Sequence, residues 1–354
     1  MKIKENSKTH IVGAGIAGMT AAINLSKFGK SVIIYEKNDS IGASRHGDLE
    51  GIENWILSKN LPESIAECGI DFNGIPKFPI FEFFVHLNGI KPVKIKSQEP
   101  FFYIVKRGTS IDSFDNYLAE RCNSLNVKFL FNQSYDISTA DINATGACRA
   151  AAYIRGAQIV TDLPNQVHLL LGKEFAPRGY AYLIINDGFG TMATAFKKSA
   201  RGNDPLNPCI KYFKTIGFDL KVKSTFTNRG SFNLPNLWDI KKPIKIGEAG
   251  GYQDYLFGFG MRIAMYSGLS AAYKLSGKNF QSKIINRELN IKRRISFANR
   301  LLFENLSINN AKYLVNRFEK SKEPLNILRE AYDWNWKKII KSIKLTNQYA
   351  IRFS

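Results

Sequence analysis

The chain has 354 residues, of which 44% are hydrophobic and 12% aromatic, and its formal net charge is +20. This length exceeds one ordinary domain, and the composition excludes a disordered protein. No apolar run of about 18 residues occurs and the N-terminus is polar, so we expect neither a membrane span nor a signal peptide. The four cysteines form no CxxC pair and the four histidines do not cluster, which indicates a cytoplasmic protein without a metal site.

A strand–turn–helix–strand pattern spans residues 9–36 and ends on Glu36. Its turn reads GAGIAG over residues 13–18, and a second β-branched run follows the helix pattern at 32–34. This order is typical of a dinucleotide-binding βαβ unit, in which the helix N-terminus stabilises a pyrophosphate. A carboxylate at Glu36 is placed to accept hydrogen bonds from ribose hydroxyls, which favours FAD or NAD over NADP.

The glycines of this turn have separate predicted roles. Gly13 permits the tight turn, Gly15 lets the backbone approach the pyrophosphate, and Gly18 allows the helix to pack closely on the strand. We predict that Ile16 and Ala17, within the turn, and Lys37, next to Glu36, also contact the cofactor.

Beyond Glu36 the periodicity of the sequence changes several times. The predicted elements are a loop over 37–48, a helix over 50–70, short strands over 75–106, a helix over 110–125, a strand over 127–131, β-rich segments over 152–235, a glycine-rich turn and helix over 247–275, and helices over 281–354. Ser110 or Asp112 is the expected N-cap of the helix over 110–125.

These patterns predict an α/β protein with a discontinuous, Rossmann-like nucleotide domain, a β-sheet substrate domain and a C-terminal helical segment. The predicted boundaries are 1–70, 107–150 and 236–280 for the nucleotide domain, 71–106 and 151–235 for the β-rich domain, and 281–354 for the basic helical region.

Three separated motifs carry a family resemblance. They are GAGIAG with Glu36, the segment FFYIVKRGTSIDSFDNYLAER around Arg107 followed by NATG at 143–146, and GEAGGYQDYLFGFGMRIAMYSG at 247–268. In order and spacing the sequence resembles flavoproteins of the p-hydroxybenzoate hydroxylase fold, and within them the geranylgeranyl reductase-like branch. The resemblance implies bound FAD, a Rossmann-like FAD-binding domain and a β-sheet substrate domain that covers the flavin.

The resemblance also implies a cofactor contact at each matching position. The implied contacts are Gly13, Gly15 and Gly18 at the pyrophosphate, Glu36 at the ribose, Arg45 at the flavin edge or pyrophosphate, Arg107 facing the cofactor, Thr145 and Gly146 beside the ADP half, Glu248 at the ribityl chain with Gly247 also at the cofactor, and Gly258, Gly260 and Met261 at the flavin pyrimidine edge. Departures from the family pattern include Glu248 in place of the usual aspartate and Tyr255 in place of a proline.

The resemblance implies that FAD supplies the redox chemistry, while the protein supplies a pocket and a proton. The candidate proton donors are His46, Asp254, Tyr180 and Tyr182; each could instead have a purely structural role. The expected reaction is reduction of a carbon–carbon double bond in a small apolar, prenyl or lipid-like substrate, by hydride from reduced FAD. The alternative is an FAD-dependent monooxygenase of the same fold. Either would use NAD(P)H or another reductant as electron donor.

Residues 281–354 contain half of the net charge, with 16 basic and 6 acidic residues. Within this region Trp336, Ile339, Ile340 and Ile343 form an apolar stripe on a lysine-rich helix. The stripe could contact an anionic membrane near a lipid substrate, or it could pack on the domain, which we favour at this point. Nucleic acid is a disfavoured partner, because the basic residues are dispersed. The expected location is therefore cytoplasmic, with or without contact at the membrane surface.

Overall fold

The computed structural model describes residues 8–147, 152–196, 204–230 and 243–350. In chain order, the strands are β1 Thr9–Val12, β2 Val32–Tyr35, β3 Leu49–Glu53, β4 Phe78–Ile80, β5 Glu82–Leu87, β6 Val93–Lys96, β7 Phe102–Lys106, β8 Lys128–Leu130, β9 Ile142–Asn143, β10 Ala152–Val160, β11 Gln166–Leu171, β12 Tyr180–Asn186, β13 Phe189–Phe196, β14 Lys221–Gly230 and β15 Ile244–Lys245. The helices are α1 Ile16–Lys27, α2 Leu61–Glu67, α3 Phe114–Ser124, α4 Leu206–Thr215, α5 Met261–Leu275, α6 Asn279–Glu304, α7 Ile308–Lys320, α8 Pro324–Ala331 and α9 Trp336–Ala350.

A five-stranded parallel sheet in the order β15-β9-β1-β2-β8 contains the predicted βαβ unit. Its central strand places Ile11 between Ile34 on β2 and Ile142 on β9, so β-branched side chains stack across the sheet. Helix α1 crosses α5 closely, because a Cβ on Gly268 would lie only 2.5 Å from the carbonyl oxygen of Ala17. The predicted α/β fold with a Rossmann-like unit is therefore confirmed.

The second large sheet has seven strands in the order β14-β10-β13-β12-β11-β5-β6. All of its pairings are antiparallel except that of β5 with β11. The amphipathic helix α4, which the sequence analysis missed inside its β-rich segment, buries Leu206, Cys209 and Phe213 in one apolar cluster with Ala157 and Leu183 of this sheet. A three-stranded antiparallel sheet, β3-β7-β4, completes the β structure of the described residues.

Two predicted helices have different bounds in the structure. The prediction of a helix over 50–70 is wrong at its start, where β3 pairs with β7 and the Glu53 carboxylate accepts hydrogen bonds from the backbone of Trp55 and Ile56. Only α2 is helical there, and Asn60 caps it. The N-cap of α3 is Ser113 rather than Ser110 or Asp112, since its hydroxyl accepts a hydrogen bond from the amide of Asn116.

The C-terminal region is helical, as predicted. Helix α6 packs on α5, α9 packs on α6, and α7 packs on β6 and α8. The favoured interpretation of the α9 stripe is wrong, because Trp336, Ile340 and Ile343 are exposed and only Ile339 is half-buried. Every helix in the described part of the chain is too short or too polar to span a bilayer. The predicted domain boundaries stay predictions, and those at 150/151 and 235/236 lie outside the described residues.

Candidate functional site

A cavity of about 730 Å³ is lined by the carboxyl ends of the parallel strands, by the seven-stranded sheet and by the C-terminal helices. Ligands of open α/β sheets bind outside the carboxyl ends of the strands, so its position is that of a nucleotide site. The predicted cofactor positions that line it are Gly13, Gly15, Ile16, Ala17, Glu36, Lys37, Arg45, Arg107, Thr145, Gly146, Gly247, Glu248, Gly258, Gly260 and Met261. Gly18 is the predicted cofactor position that does not line it.

The glycine turn between β1 and α1 is shaped by close backbone contacts. Gly13 has φ +106°, and a Cβ there would lie 2.4 Å from the carbonyl oxygen of Ala144. A Cβ on Gly18 would lie 2.1 Å from the carbonyl oxygen of Gly13, so Gly18 serves helix packing and does not contact the cavity. By contrast, a Cβ on Gly15 would have no atom within 4 Å, which leaves open space beside the N-terminus of α1. That space suits an anionic group.

Glu36 is held in one orientation at the cavity wall. Its Oε2 accepts a hydrogen bond from the Ala14 amide at 2.9 Å, and its Oε1 accepts from the backbone and side chain of Asn38 at 3.0 and 2.8 Å. Just after β9, the hydroxyl of Thr145 donates to the side-chain oxygen of Asn143 at 2.8 Å. Hydrogen bonds from neighbouring residues therefore hold the Glu36 carboxylate in place before any ligand binds.

Arg107 and Arg45 belong to a cluster of charges in the cavity wall. Arg107 is 3% exposed and donates to both oxygens of Asp115, at 2.8 and 2.9 Å, and to Glu50 at 2.7 Å. Arg45 donates to the other oxygen of Glu50 at 3.0 Å. Burial alone would raise the pKa of both carboxyls, but the guanidiniums lower that of Asp115 and hold that of Glu50 at about 2. Sequence reasoning missed Glu50 and Asp115.

Asp48 lies next to this cluster, and its pKa is shifted in the opposite direction from those of Glu50 and Asp115. Burial, together with the charge of Glu50, raises the pKa of Asp48 to about 6. Its folded-state pKa thus exceeds the value of about 4 for an unfolded chain, so the stability that it contributes below that pH is lost as the pH rises to about 6.

An Asp48→Asn variant is therefore expected to be more stable than the wild type by ~1–3 kcal/mol near pH 7, and nearly equal to it below about pH 4. The amide keeps an acceptor for the His46 amide and can donate to Glu50 as the protonated carboxyl does. Urea unfolding at both pH values measures the difference. Asp115→Asn is the matched control and should destabilise near pH 7, because the pKa of Asp115 is depressed. Equal destabilisation by both variants would contradict the prediction.

Asp254 organises the turn that precedes α5. It is fully buried, and its carboxylate accepts hydrogen bonds from Ser296, Tyr332 and the backbone amides of Leu256 and Phe257. Burial raises the pKa of Asp254, while these hydrogen bonds lower it. All of these contacts are structural, so a proton-donating role for Asp254 stays a prediction.

The other three candidate proton donors are placed differently from one another. Tyr180 and Tyr182 both line the cavity with ring centroids 6.4 Å apart, and the Tyr180 hydroxyl donates to the carbonyl of Phe257. Burial raises the pKa of both phenols, so they are neutral donors. His46 is exposed and does not line the cavity, because its ring stacks on Phe226 of β14 at 4.8 Å. The prediction of His46 at the flavin surface is not supported by this position.

A buried and a half-buried polar side chain, Gln253 and Glu248, line the cavity near the turn. Gln253, which sequence reasoning missed, is 6% exposed, and its Nε2 has no hydrogen-bond partner among the described residues. A buried amide without a partner costs free energy unless a ligand accepts its hydrogen bond. Burial also raises the pKa of Glu248. The site thus contains polar groups that a bound polar molecule would satisfy.

One part of the cavity wall, which we call the apolar chamber, is contributed by the seven-stranded sheet and by helices α6 to α8. Its apolar residues are Phe83, Val85, Leu169, Leu171 and Ile184 from the sheet, and Phe303, Leu314, Val315, Phe318 and Leu328 from the helices. Successive side chains of a strand point to opposite faces of the sheet, so alternate apolar residues of β5 and β11 lie on the one face that lines the chamber. The polar residues described above and the apolar chamber thus line the same cavity.

Comparisons with known proteins agree with this architecture. A family model described as an NAD(P)-binding Rossmann-like domain matches residues 11–52, and no curated protein matches the sequence significantly. A geranylgeranyl bacteriochlorophyll reductase-like protein from Thermoplasma acidophilum is similar in structure, with TM-score 0.69, 15% identity and coverage of 95% of this chain and 98% of that one.

Two further solved structures have other activities in their names. A flavin-dependent brominase has TM-score 0.67 and 14% identity over 97% of this chain and 99% of its own. The p-nitrophenol 4-monooxygenase from Pseudomonas putida has TM-score 0.63 and 12% identity, over 94% and 98% of the two chains. At these identities the likeness establishes the fold, which this chain shares with them.

Proposed function

We propose that this chain is an FAD-dependent oxidoreductase that reduces a carbon–carbon double bond in an apolar, prenyl or lipid-like substrate. The observation that carries the proposal is the continuity of the apolar chamber with the nucleotide end of the same cavity. A site of this volume, mostly apolar and with a few placed polar groups, suits an organic ligand.

Several features of the chain fit FAD. The open space at Gly15 beside the α1 N-terminus suits a pyrophosphate, and the fixed Glu36 carboxylate suits ribose hydroxyls. The unpartnered Gln253 amide can donate a hydrogen bond to a polar edge of the flavin ring. When bound, FAD would supply the hydride, with NAD(P)H or another reductant restoring it.

The protein's own groups would bind the substrate, orient it and exclude water. Phe83, Leu169 and Val315 are among the chamber residues that would surround an apolar chain. Tyr180 and Tyr182 are the side chains best placed to hold a proton at the cavity wall, because both are neutral phenols that line it. Both tyrosines also favour a second candidate, an FAD-dependent monooxygenase, since their hydroxyls could orient a polar aromatic substrate.

The test is an anaerobic titration of the FAD-loaded protein. Chemically reduced flavin should reoxidise when a geranylgeranyl or polyprenyl lipid is added without oxygen, and the lipid should gain two hydrogens by mass. Val315→Gln places a polar group in the chamber. Because burying an amide without a hydrogen-bond partner costs free energy when the apolar substrate binds, this variant should slow the reoxidation at least tenfold. Tyr313→Gln is the matched control on the exposed side of α7 and should leave the rate unchanged.

Each outcome selects among the candidate functions. Flavin that remains reduced until oxygen enters, followed by hydroxylation of an added substrate, would favour the monooxygenase. A protein that binds no FAD under any condition would rule out both. Equal rates in the Val315 and Tyr313 variants would place the substrate outside the chamber.

A further inference from the structure

Helix α9 presents an apolar face to solvent. Trp336, Ile340 and Ile343 are 66%, 56% and 57% exposed. They are spaced four and three residues apart, so they share one side of the helix. We propose that this α9 face, defined by these three residues, docks the protein on an anionic membrane.

Packing of α9 on α6 fixes the orientation of this face. Ser342 is buried on the side of α9 away from Trp336, and the Lys338 ammonium donates to the carbonyl of Ala331 at 2.9 Å. Just before the helix, Lys292 of α6 pairs with Asp333 at 3.3 Å. The side of α9 that faces the protein contains Ser342 and Lys338 together with the half-buried Ile339, while the apolar Trp336, Ile340 and Ile343 face outward. An ordinary surface helix turns such an apolar stripe toward the core instead.

Charge complementarity identifies an anionic bilayer as the occupant. Lys337 and Lys341 are exposed on the flank of the α9 face, and residues 334–354 contain five basic residues and no acidic one. An exposed tryptophan and isoleucines flanked by lysines form the pattern of a helix that lies in the membrane interface. Trp334 adds a second indole, packed edge-on to Trp336 at 5.0 Å. Indole rings favour the headgroup level of a bilayer.

The size of the face argues against a second protein as the partner. A stable protein interface buries about 800 Å² on each side through some 20–30 residues, far more than this face offers. Insertion of a few apolar side chains, helped by lysines near anionic headgroups, suffices for reversible membrane binding. The inference rests on this surface alone and does not depend on the proposed reaction. A bilayer would also be a source of apolar substrate for the chamber.

The proposal can be tested by co-sedimentation of the full chain with vesicles of phosphatidylcholine, with and without phosphatidylglycerol. We expect binding to the anionic vesicles, and little to the neutral ones. Trp336→Ser/Ile340→Ser should weaken the partition coefficient at least tenfold, because it removes two of the three apolar side chains that would be buried in the bilayer. Lys337→Gln/Lys341→Gln should weaken it about fivefold for each charge removed.

Two matched controls distinguish binding through the α9 face from non-specific binding by exposed apolar side chains or positive charges elsewhere on the surface. Ile111→Ser removes an apolar side chain that is 80% exposed elsewhere, and Lys221→Gln/Lys223→Gln removes two exposed charges from β14. Both controls should bind anionic vesicles as the wild type does. Wild-type binding by Trp336→Ser/Ile340→Ser, or no binding by the wild type, would overturn the proposal. A wild-type dimer that this variant converts to a monomer, with no vesicle binding, would assign the face to self-association instead.

Discussion

A Gly15→Leu variant is expected to fold as the wild type does but to lose FAD binding. Gly15 has φ −79° and ψ 178°, an extended conformation that leucine adopts without strain, and no atom lies within 4 Å of a Cβ built there. The new side chain would occupy the space that we assign to the pyrophosphate. Loss of charge-assisted hydrogen bonds worth ~1.5–3 kcal/mol each should weaken FAD binding about 100-fold or more. Flavin absorbance after reconstitution, with unfolding of the flavin-free protein, measures both effects.

Gly18→Ala is the matched control within the same turn. Its Cβ would lie 2.1 Å from the carbonyl oxygen of Gly13, so α1 would have to shift from β1 and the flavin-free protein should lose stability. The two variants thus separate an effect on binding from an effect on folding. Retention of FAD by Gly15→Leu at wild-type affinity would show that the pyrophosphate does not lie at this turn.

The β1–α1–β2 unit that contains these glycines is the part of the fold that the sequence predicts best. The β1–α1–β2 unit is local, because its strands, turn and helix follow one another within residues 9–36, and its spacing alone indicates the fold. Gly18 is a packing residue in the structure, as its position in the motif suggested. Motif order likewise placed Glu248 and Gly258 at the cavity, although they are distant in sequence from the first turn.

The missed features depend on contacts between distant segments. Glu50 lies within a segment that looked helical, yet β3 pairs with β7 there and brings Glu50 to Arg107, 57 residues away. Gln253 has no local signal, since only the fold reveals that its amide is buried without a partner. The α9 stripe has a helical period whether it packs or not, and only the packing of Ser342 on the opposite side decides its exposure.

A single charge change in the cluster around Arg107 should cost several kcal/mol of stability. Arg107→Gln is expected to destabilise the flavin-free protein by ~3–5 kcal/mol near pH 7, because it leaves the buried Asp115 without a guanidinium partner and Glu50 with Arg45 alone. Urea unfolding of wild type and variant measures this loss. Arg45→Gln is the matched control, and since its pair with Glu50 is partly exposed it should cost about 1 kcal/mol or less.

The pH dependence of the loss gives a second, independent check. In the wild type the pKa values of Asp115 and Glu50 are depressed, so their contribution is present above about pH 4 and falls as the pH drops through the folded-state pKa values. In Arg107→Gln an unpaired, buried Asp115 should have a raised pKa, so that this variant gains stability from Asp115 as the pH falls. The difference between the two proteins should therefore narrow in acid, and Arg107→Gln/Asp115→Asn should recover part of it near pH 7. Two results would show that the ion pairs do not hold this part of the cavity together. One is a loss of stability for Arg107→Gln no larger than that for Arg45→Gln. The other is a loss for Arg107→Gln that is the same near pH 7 and in acid.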